Sequence, residues 1–371
     1  MLTSRLARIT ALATAVVSTA VLAAPTAASA TSGGAQVSRG SRSIASAAHL
    51  NDVISDMAPR GTAFGPSSAW RQNISAAPLN ANSPAMVKNL TGQVAKYYGG
   101  IAAANITQYN TSVYTVSGDT ARVNVNWDNC QKKNYTPKGL LGEGGQFTAV
   151  PIPDNAVPAT GNDAQLTVYS PDTDQLWEFW KAKRVNGAWQ ACWGGRIDNV
   201  SASYGYFLNG FGASASGLAV SGGAVGIAEA QAGRIDHAMS LAIPDLAYWK
   251  TFSWPAQRSD GNTVAPDAIP TGTRLRLDPS VNVDALKLHP LAKMIAKAAQ
   301  TYGFIVTDKS GAVAVSFESG AAVKADTGVD PWDKLRRPTA TAAPTPTYLI
   351  MQNFPWDKMQ VLPMDYGKPL S

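Results

Sequence analysis

Short runs of alternating apolar and polar residues dominate the chain and predict strands. In ARVNVNW, Val123, Val125 and Trp127 fall on one face, and polar residues fall between them. Such runs recur after residue 100 between turns rich in Gly, Pro, Asn and Ser, without a regular alternation of strands and helices. The pattern predicts a mainly β fold, an antiparallel β-sandwich or jelly roll with a few peripheral helices.

Two stretches have helical spacing instead. Apolar residues recur every three or four positions over 83–97 and over 290–302. We expect Ser83 to cap the first helix, with Pro84 in its first turn, and Pro290 to begin the second.

Turn residues predict three hairpins. The strongest signal is Asn186-Gly187 between QLWEFWKAKRV and AWQACWGGRI, because Asn-Gly suits a two-residue hairpin turn. SVYTVS and ARVNVNW flank Gly118-Asp119, and FIVTD and AVAVSFE flank a turn at 309–311. TRLRLDP predicts a further strand that presents Arg274 and Arg276 to solvent or to a polyanion.

The segment RIDHAMSLAIP predicts a strand, and the alternation of its side chains places its polar residues on two different faces. One face is apolar and includes His237, which favours a buried, hydrogen-bonded histidine. The other face is small and polar: Arg234 and Asp236 stand one pleat apart above alanine and serine, which leaves room for a ligand. A salt bridge at a strand end is an equally good explanation of that pair.

The N-terminus predicts export. Arg5 and Arg8 precede an apolar run that ends in Ala28-Ser29-Ala30, a pattern typical of a secretory signal peptide over 1–30. We expect a flexible lead-in and irregular coil over 31–82, a single β-rich domain over 83–320, and an irregular tail over 321–371. Trp332 and Trp356, each in a Pro-Trp-Asp-Lys segment, would dock that tail on the domain.

Charge and composition limit the kinds of binding partner that we expect. The chain of 371 residues has a net charge of +6 and no block of Lys and Arg, so nucleic acid is not an expected partner. No later stretch is apolar for long enough to span a bilayer, so we expect a secreted, extracellular protein without membrane association after signal cleavage. Cys130 and Cys192 are the only cysteines, and in an exported protein they most simply form one disulfide.

The sequence lacks the motifs that several types of catalytic or binding site require. The sequence contains no nucleophile elbow, no phosphate loop and no ligand spacing for a transition metal. We expect no cofactor. The oxygens of Asp260, Asn262 and Asp267 would suit calcium, but a plain surface turn is the more common explanation of such a segment.

A repeated fragment suggests a carbohydrate groove. GRID occurs with Arg196 and Asp198 and again with Arg234 and Asp236. Two Arg–Asp pairs on neighbouring strands would hold sugar hydroxyls or carboxylates, because arginine binds carboxylates bidentately. Chance recurrence is the competing explanation. The residues expected to complete the groove wall are Trp254, Arg258 and Asp260.

The catalytic possibilities stay open at this point. Glu229 and Asp236 would serve a glycoside hydrolase as a carboxylate pair. Alternatively, His237 or Tyr302 would act as the base of a polysaccharide lyase, with Arg196 or Arg234 neutralising a uronate carboxylate. Asp236, His237 and Glu229 are therefore the candidate catalytic residues.

Several motifs carry a resemblance to a group of secreted β-rich proteins of high-GC bacteria. GGRID, GRIDHAMSLAIP, FSWPAQRSDG, GTRLRLDPS and YGFIVTDKSGAVAV follow the same order there, over roughly residues 145–320. The resemblance implies export and one continuous β-rich domain, and it implies no activity. The strands also resemble jelly-roll polysaccharide lyases, but Ile235-Asp236-His237 has aspartate where the Q-I-H motif of that class has isoleucine.

Two functions follow from these patterns. The first is a secreted protein that binds or cleaves an extracellular polysaccharide in a groove of a β-sandwich. The alternative is a non-catalytic cell-surface or cell-wall interaction protein of the same fold, in which the charged pairs are structural.

Overall fold

The computed structural model describes Leu50 and residues 63–370. The predicted signal peptide and most of the predicted lead-in lie outside the described residues. Strands form several sheets without a closed barrel and account for slightly more of the structure than the few helices do. No helix in the described residues is long and apolar enough to cross a membrane.

Thirteen strands are present in this part of the chain. In chain order they are β1 Ala103–Asn105, β2 Thr111–Thr115, β3 Asn126–Trp127, β4 Gln165–Ser170, β5 Gln175–Trp180, β6 Lys183–Val185, β7 Ala188–Ala191, β8 Trp193–Asp198, β9 Met239–Ile243, β10 Arg274–Leu277, β11 Phe304–Lys309, β12 Ala314–Ser316 and β13 Met359–Val361. The described α-helices are α1 Ser83–Lys96, α2 Ile227–Ala232, α3 Pro290–Thr301, α4 Ala321–Thr327 and α5 Trp332–Leu335.

The strands form three sheets. A six-stranded sheet has the order β1-β12-β9-β11-β10-β13, a four-stranded sheet has the order β2-β4-β5-β8, and β3, β7 and β6 form a small third sheet. Each sheet contains a parallel pair, for example β9 with β11 and β2 with β4. The mainly β prediction is confirmed, whereas the expectation of purely antiparallel sheets is wrong.

Local turn chemistry predicted one hairpin correctly. Asn186 and Gly187 both have positive φ, 50° and 83°, and connect the antiparallel strands β6 and β7. Asn and Gly tolerate this left-handed conformation, which a two-residue turn requires at both positions. The segment that contains this hairpin also connects β5 to β8, and these two strands form an antiparallel pair.

The other two hairpins are wrong because distant strands intervene. β2 pairs in parallel with β4 rather than with the run that contains Val123, which instead makes an isolated bridge to Val150. β11 and β12 do not pair with each other, because β9 lies between them.

The apolar face of β9 lies in the largest apolar cluster. Met239, Leu241 and Ile243 are fully buried there, together with residues of α1, α3 and the neighbouring strands. His237 and Ile235, which the predicted alternation placed on the same side, are also buried. The strand itself starts at Met239, so residues 234–238 form its approach rather than part of the sheet.

Two predictions, the exposure of the β10 arginines and the N-cap of α1, are wrong. Arg274 and Arg276 are buried, because the segment 72–75 covers that face and accepts their hydrogen bonds. Asn82 rather than Ser83 is the N-cap of α1, and the Ser83 hydroxyl accepts a hydrogen bond from the Val361 amide at 2.9 Å.

Both tryptophans of the Pro-Trp-Asp-Lys segments are buried. The Trp332 indole donates to the Glu318 carbonyl at 2.9 Å, and Trp356 packs against Phe304 and Phe354. Beyond residue 320 the chain forms α4, α5 and β13, the last of which is an edge strand of the six-stranded sheet.

The predicted disulfide between Cys130 and Cys192 is confirmed. It joins the start of the loop at 131–139 to the residue before β8, with the two Cα atoms 5.5 Å apart.

Candidate functional site

A groove of about 1580 Å³ opens along the face of the six-stranded sheet that points away from the main apolar cluster. Its walls come from the ends of β5 and β8 in the four-stranded sheet and from the loops at 131–146 and 209–220. Ligand pockets for drug-sized molecules usually occupy about 300–1,000 Å³, so this groove has room for an extended ligand.

Small side chains form the floor of the groove. Ala103, Ala314, Ala242 and Asp308 lie directly opposite one another across β1, β12, β9 and β11. Three alanines on neighbouring strands therefore form one row with the carboxyl group of Asp308. This is the side of β9 on which the sequence predicted room for a ligand.

A β-bulge places Asp308 in this row. The register between β11 and β9 shifts between Val306 and Asp308, so that Asp308 rather than Thr307 lies opposite Ala242. An extra residue in one strand reverses the alternation of its side chains beyond that point, and bulges of this kind are common beside active sites.

Asp308 is a carboxyl group in an unfavourable electrostatic setting. Burial and the nearby charge of Asp260 raise the pKa of Asp308 to about 7. Two backbone amides oppose this shift, that of Lys309 at 2.9 Å and that of Ala215 at 3.3 Å. At neutral pH the carboxyl group is therefore divided between its protonated and ionised forms.

Asp260 lies at the same groove. Burial also raises the pKa of Asp260, although Lys309 and Arg258 favour its ionised form. A third acid, Asp163, is close enough to contribute to the raised pKa of Asp308. The groove thus holds a cluster of carboxyl groups in which like charges act on one another.

Arg258 organises the loop that forms one wall. Its guanidinium donates to the carbonyl oxygens of Ser214 at 2.8 Å and Ala215 at 2.9 Å, and also contacts those of Gly210 and Gly212. Each of the three guanidinium nitrogens therefore donates to the backbone of the loop. Arg258 lines the groove, as predicted for a binding residue, while its hydrogen bonds fix the wall.

Aromatic side chains stand along the groove, several of them largely exposed. Tyr135 is 60% exposed, and Tyr98 and Tyr109 are about half exposed. The Trp180 indole donates to Asp163 Oδ1 at 2.9 Å, which fixes the orientation of its ring. The complete aromatic set is Tyr98, Tyr109, Tyr135, Trp180, Trp193, Phe211 and Tyr348.

In each GRID segment, the arginine forms a salt bridge with the aspartate of the same segment. Arg196 contacts Asp198 at 3.0 Å on β8, and Arg234 contacts Asp236 at 2.6 Å before β9. None of these four residues lines the groove. Arg196 lies behind its wall, where its backbone amide donates to the Gln146 side chain at 2.6 Å.

Glu229 and His237 form a separate buried pair. The imidazole Nε2 lies 3.0 Å from one carboxylate oxygen of Glu229, and the other oxygen accepts the Gly226 amide at 2.8 Å. Burial lowers the pKa of His237, but the charge and hydrogen bond of Glu229 outweigh burial and leave it raised. Since His237 is 0% exposed, this pair joins α2 to the approach of β9, away from the groove.

The remaining predicted site residues lie at other places. Trp254 is buried beside Tyr204, so its ring does not face the groove. In the loop considered for calcium, Asn262 Oδ1 accepts a hydrogen bond from the Lys309 ammonium group at 3.0 Å. No cluster of three or more His, Cys, Asp or Glu side chains suited to a metal occurs in the described residues.

Asp308 was not predicted as a site residue, although the sequence contains a signal that could have indicated it. It ends the apolar run FIVTD, and an acid at the end of a buried strand is unusual because burial disfavours its charge. Trp180 and Trp193 lie in the runs QLWEFWKAKRV and AWQACWGGRI, which were predicted only as strands of a hairpin.

Comparisons with known proteins give no independent guide to this site. A scan against models of protein families found no match, and neither curated proteins nor solved structures showed significant similarity to the chain.

Proposed function

We propose that the protein binds an extracellular polysaccharide in this groove and hydrolyses it with Asp308 and Asp260. The observation that carries the proposal is the coupled carboxyl pair in a long groove lined by exposed aromatic rings. The two-sheet sandwich predicted from the sequence is part of this proposal, because both larger sheets contribute walls.

The carboxyl pair supplies acid–base chemistry. Glycoside hydrolysis needs one carboxylic acid that protonates the leaving oxygen and one carboxylate that acts as base or nucleophile. Asp308, with its pKa raised to about 7, is partly protonated at neutral pH and suits the acid role. Burial raises the pKa of Asp260, but Lys309 and Arg258 favour its ionised form, and we assign it the carboxylate role.

The groove walls suit a sugar chain. Aromatic side chains offer flat apolar surfaces with a polar tip, which match the C–H faces and hydroxyls of a pyranose. On the floor, Ser240 of β9 lines the groove near the alanine row but is almost fully buried. The alanine row beside it keeps the floor flat.

A lyase mechanism based on His237 has less support. The imidazole is fully buried and engaged by Glu229, so it does not reach a substrate proton in the groove. The GRID arginines, which would neutralise a uronate, do not line the groove either.

The test is a cleavage assay on neutral and uronate-containing polysaccharides with the purified exported chain. We expect new reducing ends without ultraviolet-absorbing unsaturated products. Asp308→Asn and Asp260→Asn should each lower the rate by at least about 100-fold, the size of a general acid–base contribution. Asp198→Asn, outside the groove, is the matched control and should retain full activity.

The alternative function has a distinct outcome in the same experiment. Binding without cleavage, weakened by Tyr135→Ala, would assign a non-catalytic carbohydrate-binding protein. Unsaturated products, or full hydrolysis by Asp308→Asn, would contradict the proposed mechanism. Absence of any binding would remove the carbohydrate role.

A further inference from the structure

One rim of the groove carries a cationic group that the proposed chemistry does not use. The loop that follows Cys130 contributes Lys133, Tyr135 and Lys138 to the groove wall. The disulfide joins this loop to Cys192, which directly precedes Trp193 on the same wall. The rim is therefore tied covalently at its base.

Lys133 is held in place by its surroundings. Its backbone amide donates to Asn129 Oδ1 at 2.8 Å, and its carbonyl accepts from the Asn129 side chain at 2.6 Å. Its ammonium group lies 5.1 Å from the ring centre of Trp193 and 5.9 Å from that of Tyr135. Cation–π contacts of this kind position an ammonium group without neutralising its charge.

No carboxylate in the described part of the chain forms a salt bridge with Lys133, although the groove contains three acids. The Trp193 indole donates to the Gly210 carbonyl, which also accepts from Arg258. The cationic rim and the carboxyl cluster are therefore neighbouring parts of one groove with opposite charge.

We propose that Lys133 binds an anionic group on a sugar unit adjacent to the one held at Asp308. This inference rests on the function proposed above and specifies its substrate class as an acidic polysaccharide. Lys133 supplies the charge, Tyr135 offers an exposed ring to the same sugar, and Trp193 positions the ammonium group. A carboxylate or a sulfate ester on the sugar would supply the complementary charge.

The test measures binding of the full exported chain to polygalacturonate, a sulfated galactan and a neutral galactan by isothermal titration calorimetry. Lys133→Gln should weaken binding of the anionic polymer about tenfold and leave neutral binding unchanged. Preference for one of the two anionic polymers distinguishes carboxylate from sulfate. Affinity for the preferred polymer should also fall with added salt, because the charges are exposed to solvent.

Two further variants control for structural effects. Lys132→Gln removes an exposed neighbouring charge that does not line the groove, and it should change affinity less than twofold. Lys133→Arg keeps the charge and should retain most of the binding.

The outcomes separate the two proposals. Equal loss of anionic and neutral binding in Lys133→Gln would give Lys133 a structural role only and overturn the inference. Wild-type cleavage of neutral polymers without any anionic preference would overturn it as well and leave the proposed function intact. If no polysaccharide binds, both proposals fail.

Discussion

Two buried carboxyl sites of this protein differ in how their charge is compensated. Glu229 faces the imidazole of His237 and the Gly226 amide, in an interior that solvent does not reach. Asp308 faces a second acid, Asp260, and opens to the groove. The first arrangement satisfies its carboxylate, and the second raises the pKa of its carboxyl group.

We interpret this difference as one between a structural acid, Glu229, and a candidate catalytic acid, Asp308. A buried ion pair whose members satisfy each other stabilises one conformation and has no capacity left for a ligand. A carboxyl group with a raised pKa makes the folded state less stable at neutral pH, but it can exchange a proton with a bound molecule. The sequence had indicated Glu229, Asp236 and His237 as candidate catalytic residues, whereas compensation of charge favours Asp308.

The largest effect is expected at the compensated site. His237→Ala leaves the Glu229 carboxylate buried without its partner and should lower the free energy of unfolding by about 3–5 kcal/mol. The pKa of His237 is raised in the folded state, so the stabilisation is present below about pH 6.5 and is lost as pH rises through the folded pKa. Urea denaturation at pH 6 measures the loss.

A matched control is available in the same chain. His289 is half-buried and accepts a hydrogen bond from the Leu291 amide at the start of α3, so His289→Ala should cost only about 1 kcal/mol. Equal losses in the two variants would contradict the difference drawn between a buried pair and a helix cap.

Substitution at the uncompensated site should stabilise the folded protein rather than destabilise it. Between about pH 4 and pH 7 the folded protein keeps a proton on Asp308 that the unfolded chain has lost, so the free energy of unfolding falls as pH rises. Asp308→Asn removes this dependence and should be more stable than the wild type by about 2 kcal/mol at pH 8, allowing for screening by solvent in the groove.

Thermal unfolding of both proteins at pH 4 and pH 8 checks this prediction. The difference between them should be small at pH 4. A variant that is destabilised at pH 8 would show that the Asp308 carboxylate is well compensated, and the contrast with Glu229 would disappear.

A smaller effect on stability is expected on the groove floor. Ala242→Leu places a larger side chain directly opposite Asp308, in the open space above the alanine row. The free energy of unfolding should change by less than about 1 kcal/mol, since the new side chain has room, while polysaccharide binding should fall at least tenfold. Calorimetric binding together with urea denaturation measures both quantities, and unchanged binding would place the ligand elsewhere.

The smallest effects are expected at the GRID pairs. Asp198→Asn and Asp236→Asn each remove one partner of an ion pair near the surface, and should cost less than about 0.5 kcal/mol with no change in binding. Loss of binding in either variant would return the site to the arrangement predicted from the sequence.

Local sequence signals predicted the fold wherever the cause is local. Asn186-Gly187 and the start of α1 near Pro84 were recognised because turn and helix-start preferences depend on a few adjacent residues. The pairing of β2 with β4, and the insertion of β9 between β11 and β12, depend on contacts between distant segments. Alternation within one strand does not contain that information.

The candidate site shows the same limit. Alternation correctly separated the apolar face of β9 from the face with Ser240 and Ala242. It did not lead to Asp308, which reaches that face only through a neighbouring strand and a shift of register. The GRID repeat, in contrast, was visible in the sequence and forms two separate local salt bridges.

The bulge in β11 also bears on how such a groove could diverge between related genes. Deleting one codon at Thr307 or Val306 would restore regular pairing in the strand, but deletion of Asp308 would bring Thr307 into line with Ala242. A hydroxyl would then stand where the carboxyl group now lies, beside an unchanged aromatic wall. A single in-frame deletion would thus remove the carboxyl group on which the proposed acid–base chemistry depends and leave the groove walls in place.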